Sequence, residues 1–179
     1  MSFVDCASLM QSPIEESDYP DVLVVGLGNP ILGDDGVGWK VADAAKEALS
    51  EMVPARTDIK VTCYALGGLS LMEHLIGYKR AIIIDAVQTK TGQAGQIYDL
   101  ALTDLPDISA GHLTAAHDTS LQTALKLGRE MGASLPSEIH VIGIEADKVY
   151  DFSERLSPEV EAAIPKAVEL VLRRLSNSV

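Results

Sequence analysis

VVGLGNPILGDDGVG, at residues 24–38, is an apolar strand that runs directly into a glycine-rich loop. The stretch holds five glycines, an Asn-Pro pair and two adjacent acids, Asp34 and Asp35. Glycine lets the backbone approach other groups closely and take conformations that are closed to other residues. Two adjacent carboxylates repel each other unless something cationic lies beside them, and the stretch contains no lysine or arginine. It therefore indicates a metal ion or a cationic group at this loop.

Apolar runs and helical patterns alternate along the rest of the chain. The runs are apolar throughout rather than two-faced, which is typical of a mostly parallel sheet covered by helices on both faces. We therefore expect a three-layer α/β/α fold. An extended hairpin arm is predicted at residues 92–100, and Ser157 and Pro158 have the residue types of a helix start. The predicted strands cover residues 22–25, 59–65, 80–87 and 139–144, and the predicted helices cover residues 36–52, 69–76, 113–131 and 158–176.

The length and the charge of the chain limit the classes of function. A chain of 179 residues is one domain by the usual prior, and we expect a flexible acidic extension at residues 1–20 followed by a single α/β domain at residues 21–179. The formal net charge of −12 argues against nucleic acid and against an anionic membrane surface as partners. No apolar run approaches the length of a membrane-spanning helix.

The two cysteines, Cys6 and Cys63, form neither a C-x-x-C pair nor a disulfide framework. The first residues lack the basic and apolar regions of a secretory signal, so we expect reduced thiols and a cytoplasmic protein. Cys63 lies in a predicted strand and is expected to be a small buried apolar residue rather than a nucleophile.

Each candidate site residue has a structural alternative. Asp34 or Asp35 could cap the helix that is predicted to follow them, although capping hardly accounts for both. Asp85 lies inside the apolar run AIIIDAV, and a buried carboxylate must be hydrogen-bonded, paired or bound to a cation. A structural hydrogen bond to a loop amide and a functional site at the sheet edge both remain open for Asp85.

Two histidines lie in SAGHLTAAHDTSL, residues 109–121, where a loop is predicted to become a helix. Imidazole is the commonest metal ligand in proteins, and His117 at such a helix start could point into a cleft. His112 and His117 could equally be surface or capping residues. His74 and His140 have no comparable context and are predicted to be structural.

Asp35, Asp85 and His117 form a stronger candidate together than separately. In parallel α/β folds the ligand lies beyond the carboxyl ends of the strands, where the glycine loop and Asp85 are both expected. Two carboxylates and an imidazole suit a borderline divalent ion such as nickel, zinc, manganese or iron. Three protein ligands leave coordination positions open, as in catalytic or exchangeable sites.

Other common motifs fit less well. The loop begins G-x-G, but Ile31 occupies the position of the third glycine of a dinucleotide-binding fingerprint. The chain contains neither a G-x-x-x-x-G-K-[ST] phosphate loop nor a G-x-S-x-G nucleophile elbow.

GLGNPILGDDGVG, IIIDAV, HDTSL and VIGIE…LSPEV occur in this order, and together they resemble the [NiFe]-hydrogenase maturation endopeptidases over residues 22–175. The resemblance implies that Asp35, Asp85 and His117 bind a metal and act in catalysis, with Asp34 in a supporting part. It also implies metal-assisted hydrolysis that removes a C-terminal extension from the hydrogenase large-subunit precursor after nickel insertion. The nickel would belong to the substrate, and zinc or cadmium could take its place in vitro.

The chain departs from this family pattern at three points. Leu66 stands where an acid often precedes a Gly-Gly pair, Asp35 replaces a longer glutamate, and Glu145 with Ala146 stands where a proline is common. A non-catalytic nickel-binding chaperone with the same ligands is one alternative. A peptidyl-tRNA hydrolase is another, because GLGNP also opens that pattern, but its later Arg-His-Asn is absent here. A metal-dependent peptidase of the spore germination type is a third, without specific support.

Overall fold

The computed structural model describes residues 20–52, 56–104 and 120–176. It contains five strands and four α-helices within these residues. The strands are β1 (Val22–Leu27), β2 (Ile59–Tyr64), β3 (Arg80–Val87), β4 (Ile97–Ala101) and β5 (Glu138–Glu145). The helices are α1 (Val37–Ser50), α2 (Gly68–His74), α3 (Leu121–Glu130) and α4 (Pro158–Ser176). The predicted extension at residues 1–20 lies outside the described residues except for Pro20.

The strands form one mixed sheet in the order β2-β1-β3-β5-β4. β1 pairs in parallel with β2 and β3, and β3 pairs in parallel with β5. β4 runs antiparallel to β5 at the edge of the sheet. The predicted mostly parallel sheet is confirmed. The extended segment predicted at residues 92–100 contains β4, but β4 is not part of a tight hairpin, because its antiparallel partner β5 follows it by more than thirty residues.

Helices cover both faces of the sheet, which confirms the three-layer prediction. Successive side chains of a strand point to opposite faces, so Val24 and Val25 enter different cores. One core packs the sheet against α1 and α4, and the other packs it against α2 and α3. The central strands β1 and β3 are buried on both faces, and this explains why their sequences are apolar throughout.

Two helix starts differ from the prediction. A 3₁₀ turn at Gly33–Gly36 precedes α1, so the helix itself begins at Val37. α3 begins at Leu121 rather than at residue 113, because Ser120 has extended backbone angles and its hydroxyl accepts a hydrogen bond from the Thr123 amide. The residues 113–119 of that predicted helix lie outside the described residues. The start of α4 at Pro158 is confirmed.

α1 packs directly against the backbone of the central strands. A Cβ atom added to Gly38 would collide with the carbonyl oxygen of Leu27 and lie 2.6 Å from that of Ile84. On the strand side, a Cβ atom added to Gly26 would lie 2.8 Å from the Cβ of Ala42. The start of α1, and the 3₁₀ turn before it, are therefore held close to the ends of β1 and β3.

No helix in residues 20–52, 56–104 or 120–176 is both long enough and apolar enough to cross a membrane.

We expect Gly38→Ala to lower the free energy of unfolding by about 1–3 kcal/mol, because the added methyl group overpacks a contact between backbones that cannot move apart easily. This loss of stability would be opposite in sign to the effect of helix propensity, since alanine is about 1 kcal/mol more favourable than glycine inside a helix. Urea unfolding monitored by circular dichroism measures the change.

Gly128→Ala in α3 is the matched control. There the atoms nearest to the added Cβ would belong to the flexible side chains of Leu135 and Met72, both at 2.9 Å, and these can rotate away. We expect a neutral or stabilising effect at Gly128. Equal effects of the two substitutions would contradict the close packing of α1 on the sheet.

Candidate active site

The candidate site lies at the point in the sheet where successive strands begin to be added on the opposite side of β1. From β1 the chain crosses to β2 on one side and then to β3 on the other, so the crevice between the carboxyl ends of β1 and β3 is a topological switch point. Asp35 lies on the 3₁₀ turn that follows β1, and Asp85 lies near the carboxyl end of β3. The 3₁₀ turn contacts β3. The structure therefore brings these two predicted site residues to one edge of the sheet.

The loop between β1 and the 3₁₀ turn folds back on itself, and its own backbone holds the Asp35 carboxylate. The backbone amide of Asn29 donates a 2.7 Å hydrogen bond to Oδ2 of Asp35. Gly28 has a φ of 121°, and a Cβ at this position would collide with the carbonyl oxygen of Asp35. Only glycine fits this close approach. Asp35 remains slightly accessible to solvent.

The side chain of Asp34, the neighbouring acid, is hydrogen-bonded to the segment that precedes α4. Its Oδ1 accepts a 2.6 Å hydrogen bond from the Ser157 amide, and its Oδ2 accepts one of 2.9 Å from the Ser157 hydroxyl. The Lys148 amide donates to Oδ2 as well, at 3.3 Å. This fully buried carboxylate therefore joins the glycine loop to the start of α4, where negative charge is favoured.

Neither acid occupies the N-cap position of α1. That position is Gly36, which has no side chain to make a capping hydrogen bond. Asp34 acts at the start of another helix, and Asp35 accepts from Asn29 within its own loop. The two adjacent acids thus divide their roles, with Asp34 fixing the loop and Asp35 lying at the crevice.

Asp85 is completely buried between β1 and β5. In the register of the sheet it lies beside Gly143. Placing a carboxylate here is unfavourable in the absence of hydrogen bonds or a cation, so its position inside an apolar strand needs a reason beyond packing. Asp85 and Asp35 supply the carboxylate oxygens that hard and borderline divalent cations prefer.

The predicted third ligand, His117, and its neighbour His112 lie outside the described residues. Within the part of the chain that the structure describes, no three side chains of the His, Cys, Asp and Glu types come together as a possible metal site. The remaining histidines have other contacts. His74 packs on the Tyr64 ring at 4.4 Å between centroids, and His140 forms a 2.8 Å hydrogen bond with Glu138.

Glu145, expected only as a departure from the family pattern, is a fourth buried acid at this edge of the sheet, after Asp34, Asp35 and Asp85. Its carboxylate accepts hydrogen bonds from the Thr89 amide at 2.7 Å, the Thr89 hydroxyl at 3.0 Å and the Tyr98 hydroxyl at 2.9 Å. It therefore anchors the connection between β3 and β4. An acid at the end of the apolar run VIGIE was the available signal, the same signal that singled out Asp85.

Cys63 is half-buried rather than buried, and its environment does not suit a nucleophile. It lies in β2 beside Gly26 of β1. Burial raises the pKa of its thiol to about 11, and the negative charge of Asp43 adds to this effect. The thiol is therefore protonated at neutral pH and is unsuited to nucleophilic attack.

The fold and the site together define a three-layer α/β protein with an acidic crevice at the switch point of a mostly parallel sheet. Such crevices are the usual ligand and active sites of this architecture.

Comparison with known proteins identifies the family. The hydrogenase maturation protease (HycI) family profile matches residues 65–174, which include Asp85 and His117. The hydrogenase 2 maturation protease of Escherichia coli is 26% identical over 157 residues, covering 88% of this chain and 92% of its own. The chain belongs to the hydrogenase maturation protease family, and the resemblance seen in the sequence is confirmed.

Solved structures agree with this assignment. The hydrogenase 2 maturation peptidase from a Thaumarchaeota archaeon is 31% identical, with a TM-score of 0.60 over 87% of this chain and 97% of that one. The hydrogenase maturating endopeptidase HybD from Escherichia coli has a TM-score of 0.68 over 88% of this chain and 93% of its own. At 24% identity the likeness to HybD concerns the fold. Family membership decides against the peptidyl-tRNA hydrolase alternative.

We expect Asp34→Ala to lower the free energy of unfolding by about 3 kcal/mol, because three donors from Ser157 and Lys148 lose a charged acceptor. Urea unfolding at pH 7 measures the loss. Asp151→Ala, at an exposed aspartate of the same connecting segment, is the control and should change stability by less than about 0.5 kcal/mol. A stable Asp34→Ala protein would refute the anchoring role.

We expect Cys63 to react about a hundredfold more slowly with a thiolate-specific disulfide reagent at pH 8 in the native protein than in urea. The reason is the pKa of about 11, against 9.0 for an unperturbed thiol. The Cys6→Ser background isolates the signal, and the native rate should rise as the pH is raised towards 11. Equal rates in the two states would show an accessible thiolate.

Proposed function

We propose that this protease removes a C-terminal extension from the large-subunit precursor of a [NiFe] hydrogenase after nickel has been inserted. The observation that carries the proposal is that Asp35 and Asp85 lie at the same edge of the sheet, at the switch-point crevice, whereas the Asp34 carboxylate is hydrogen-bonded to Ser157. Membership of the hydrogenase maturation protease family supports it.

Nickel in this proposal is part of the substrate. Asp35, Asp85 and His117 are the residues that would contact it, and two carboxylates with one imidazole match the donor types that nickel accepts. A set of three leaves positions for ligands from the precursor itself. An incomplete set is suited to inspecting a metal that another protein carries, because a closed cage would compete for that metal. Zinc or cadmium could occupy the same set in vitro.

The chemistry is metal-assisted peptide hydrolysis, in which a nickel ion held by the precursor polarises the scissile carbonyl or activates a water. The contribution of this chain is to hold the Asp35 and Asp85 carboxylates in place. The hydrogen bond from Asn29 holds the Asp35 carboxylate, and Asp34 holds the whole loop against α4. The sheet holds Asp85 in a fixed register beside Gly143 of β5. Rigid placement of this kind lowers the barrier because little reorganisation is needed when the substrate arrives.

We expect Asp35→Asn, Asp85→Asn and His117→Ala each to reduce processing of a nickel-loaded precursor to the level of a blank, because each removes one contact to the metal. The fold should be retained, since asparagine has nearly the same shape as aspartate. Mass spectrometry of the precursor follows loss of the tail, and circular dichroism checks the fold. His74→Ala, at an exposed histidine bonded to Ser70, is the control and should process normally.

The same assay separates the proposal from its rival. Loss of the tail from nickel-free precursor at the same rate would refute nickel recognition. Full activity of His117→Ala would remove that residue from the site. If no hydrogenase precursor of the organism loses a tail but the protein still binds nickel-loaded precursor, the non-catalytic chaperone is the correct function.

A further inference from the structure

Two aromatic side chains project into solvent next to the candidate active site. Tyr150 is 81% exposed and Phe152 is 85% exposed. Ile31, on the glycine loop, is 42% exposed. We call these three residues the aromatic lip. Single exposed apolar side chains are ordinary, but large ones grouped beside a site commonly mark an interaction surface.

The backbone holds the aromatic lip in place. The Ser153 amide donates a 3.1 Å hydrogen bond to the Ile31 carbonyl, and the Gly33 amide donates one of 2.6 Å to the Ser153 carbonyl. These bonds form a short parallel bridge between Leu32 and Ser153. The segment that carries Tyr150 and Phe152 is thus joined to the loop that carries Asp35.

Further contacts tie the two segments together on either side of this bridge. The Asp34 amide donates to the Lys148 carbonyl at 3.2 Å, and the Asp34 carboxylate holds Ser157. Gly33 has a φ of 56°, and a Cβ there would lie 2.7 Å from the Lys148 carbonyl oxygen. The exposed side chains of Tyr150 and Phe152 therefore belong to a segment whose backbone is anchored to the loop that carries Asp35.

We propose that the aromatic lip binds an apolar segment of the hydrogenase large-subunit precursor next to the scissile bond. This inference rests on the proposed function. Asp35 is only two residues from Gly33, so a chain that reaches the crevice passes close to the lip. Exposed aromatic rings contribute large contact areas with few rotatable bonds, and they are frequent among the residues that dominate binding energies.

Charge and area favour this occupant over others. The formal net charge of −12 disfavours an acidic segment and favours a neutral or basic one. Aromatic side chains bury about 150–250 Å² each, so Tyr150 and Phe152 together provide roughly 300–500 Å². A standard protein interface buries about 800 Å² on each partner. The lip is therefore too small for a stable dimer of this chain but large enough for a short peptide segment.

The test is the double variant Tyr150→Ala/Phe152→Ala, assayed with the nickel-loaded large-subunit precursors of the same organism. We expect KM for cleavage and Kd for precursor binding to rise about tenfold or more, with kcat within about twofold of the parent, because the lip binds substrate away from the reacting atoms. Met131→Ala is the matched control. Met131 is 77% exposed at the end of α3, and its substitution should change neither constant.

Each other outcome would overturn the inference. Unchanged KM and Kd would show that the precursor does not touch the lip. A fall in kcat alone would give the aromatic side chains a part in chemistry instead. If sedimentation shows a dimer that the double variant abolishes, the occupant is a second copy. Failure of the proposed function is distinguishable, because the parent would then cleave no precursor while the binding measurement still tests the lip.

Discussion

The hydrogen bonds between the Asp34 carboxylate and Ser157 tie the amino-terminal glycine loop to the beginning of the last helix. Their position determines most of what lies at the carboxyl edge of the sheet. They orient the 3₁₀ turn so that its second acid, Asp35, lies at the crevice beside Asp85. They also draw the segment around Ser153 against the loop, and that contact presents Tyr150 and Phe152 next to the crevice. A buried carboxylate with three donors can do this because its charge is well satisfied in that setting.

The glycines of the loop and of the start of α1 each allow a different close approach. Gly38 allows α1 to touch the backbone of β1 and β3, which brings the helix start to the switch point. Gly28 allows the chain to reverse against the Asp35 carbonyl, and Gly33 allows the loop to touch the segment at Lys148. Together these close approaches form a firm rim around an acidic crevice. Such a rim keeps the crevice residues in place, so that little reorganisation is needed when a substrate arrives.

Much of this architecture follows from local sequence patterns. The buried strands and the switch-point placement of Asp35 and Asp85 could be predicted, because apolar runs and glycine loops reflect the immediate environment of each residue. The role of Asp34 could not, since its partner Ser157 is 123 positions away. The role of Glu145 could not be predicted either, because its donors, Thr89 and Tyr98, are distant along the chain and follow no regular sequence pattern. The pairing of β4 also depends on a strand formed later in the chain.

The distance along the chain between Asp34 and Ser157 has a consequence for synthesis. During translation the amino-terminal half can pair β1, β2 and β3 and bring both acids of the crevice together, while the anchor from Ser157 is still missing. The segment with Tyr150 and Phe152 is also made late. The two crevice acids would thus come together before the segment that carries Tyr150 and Phe152 has been made. In a ribosome-bound chain that lacks Ser157, the Asp34 carboxylate would wait for the donors that hold it in the finished protein.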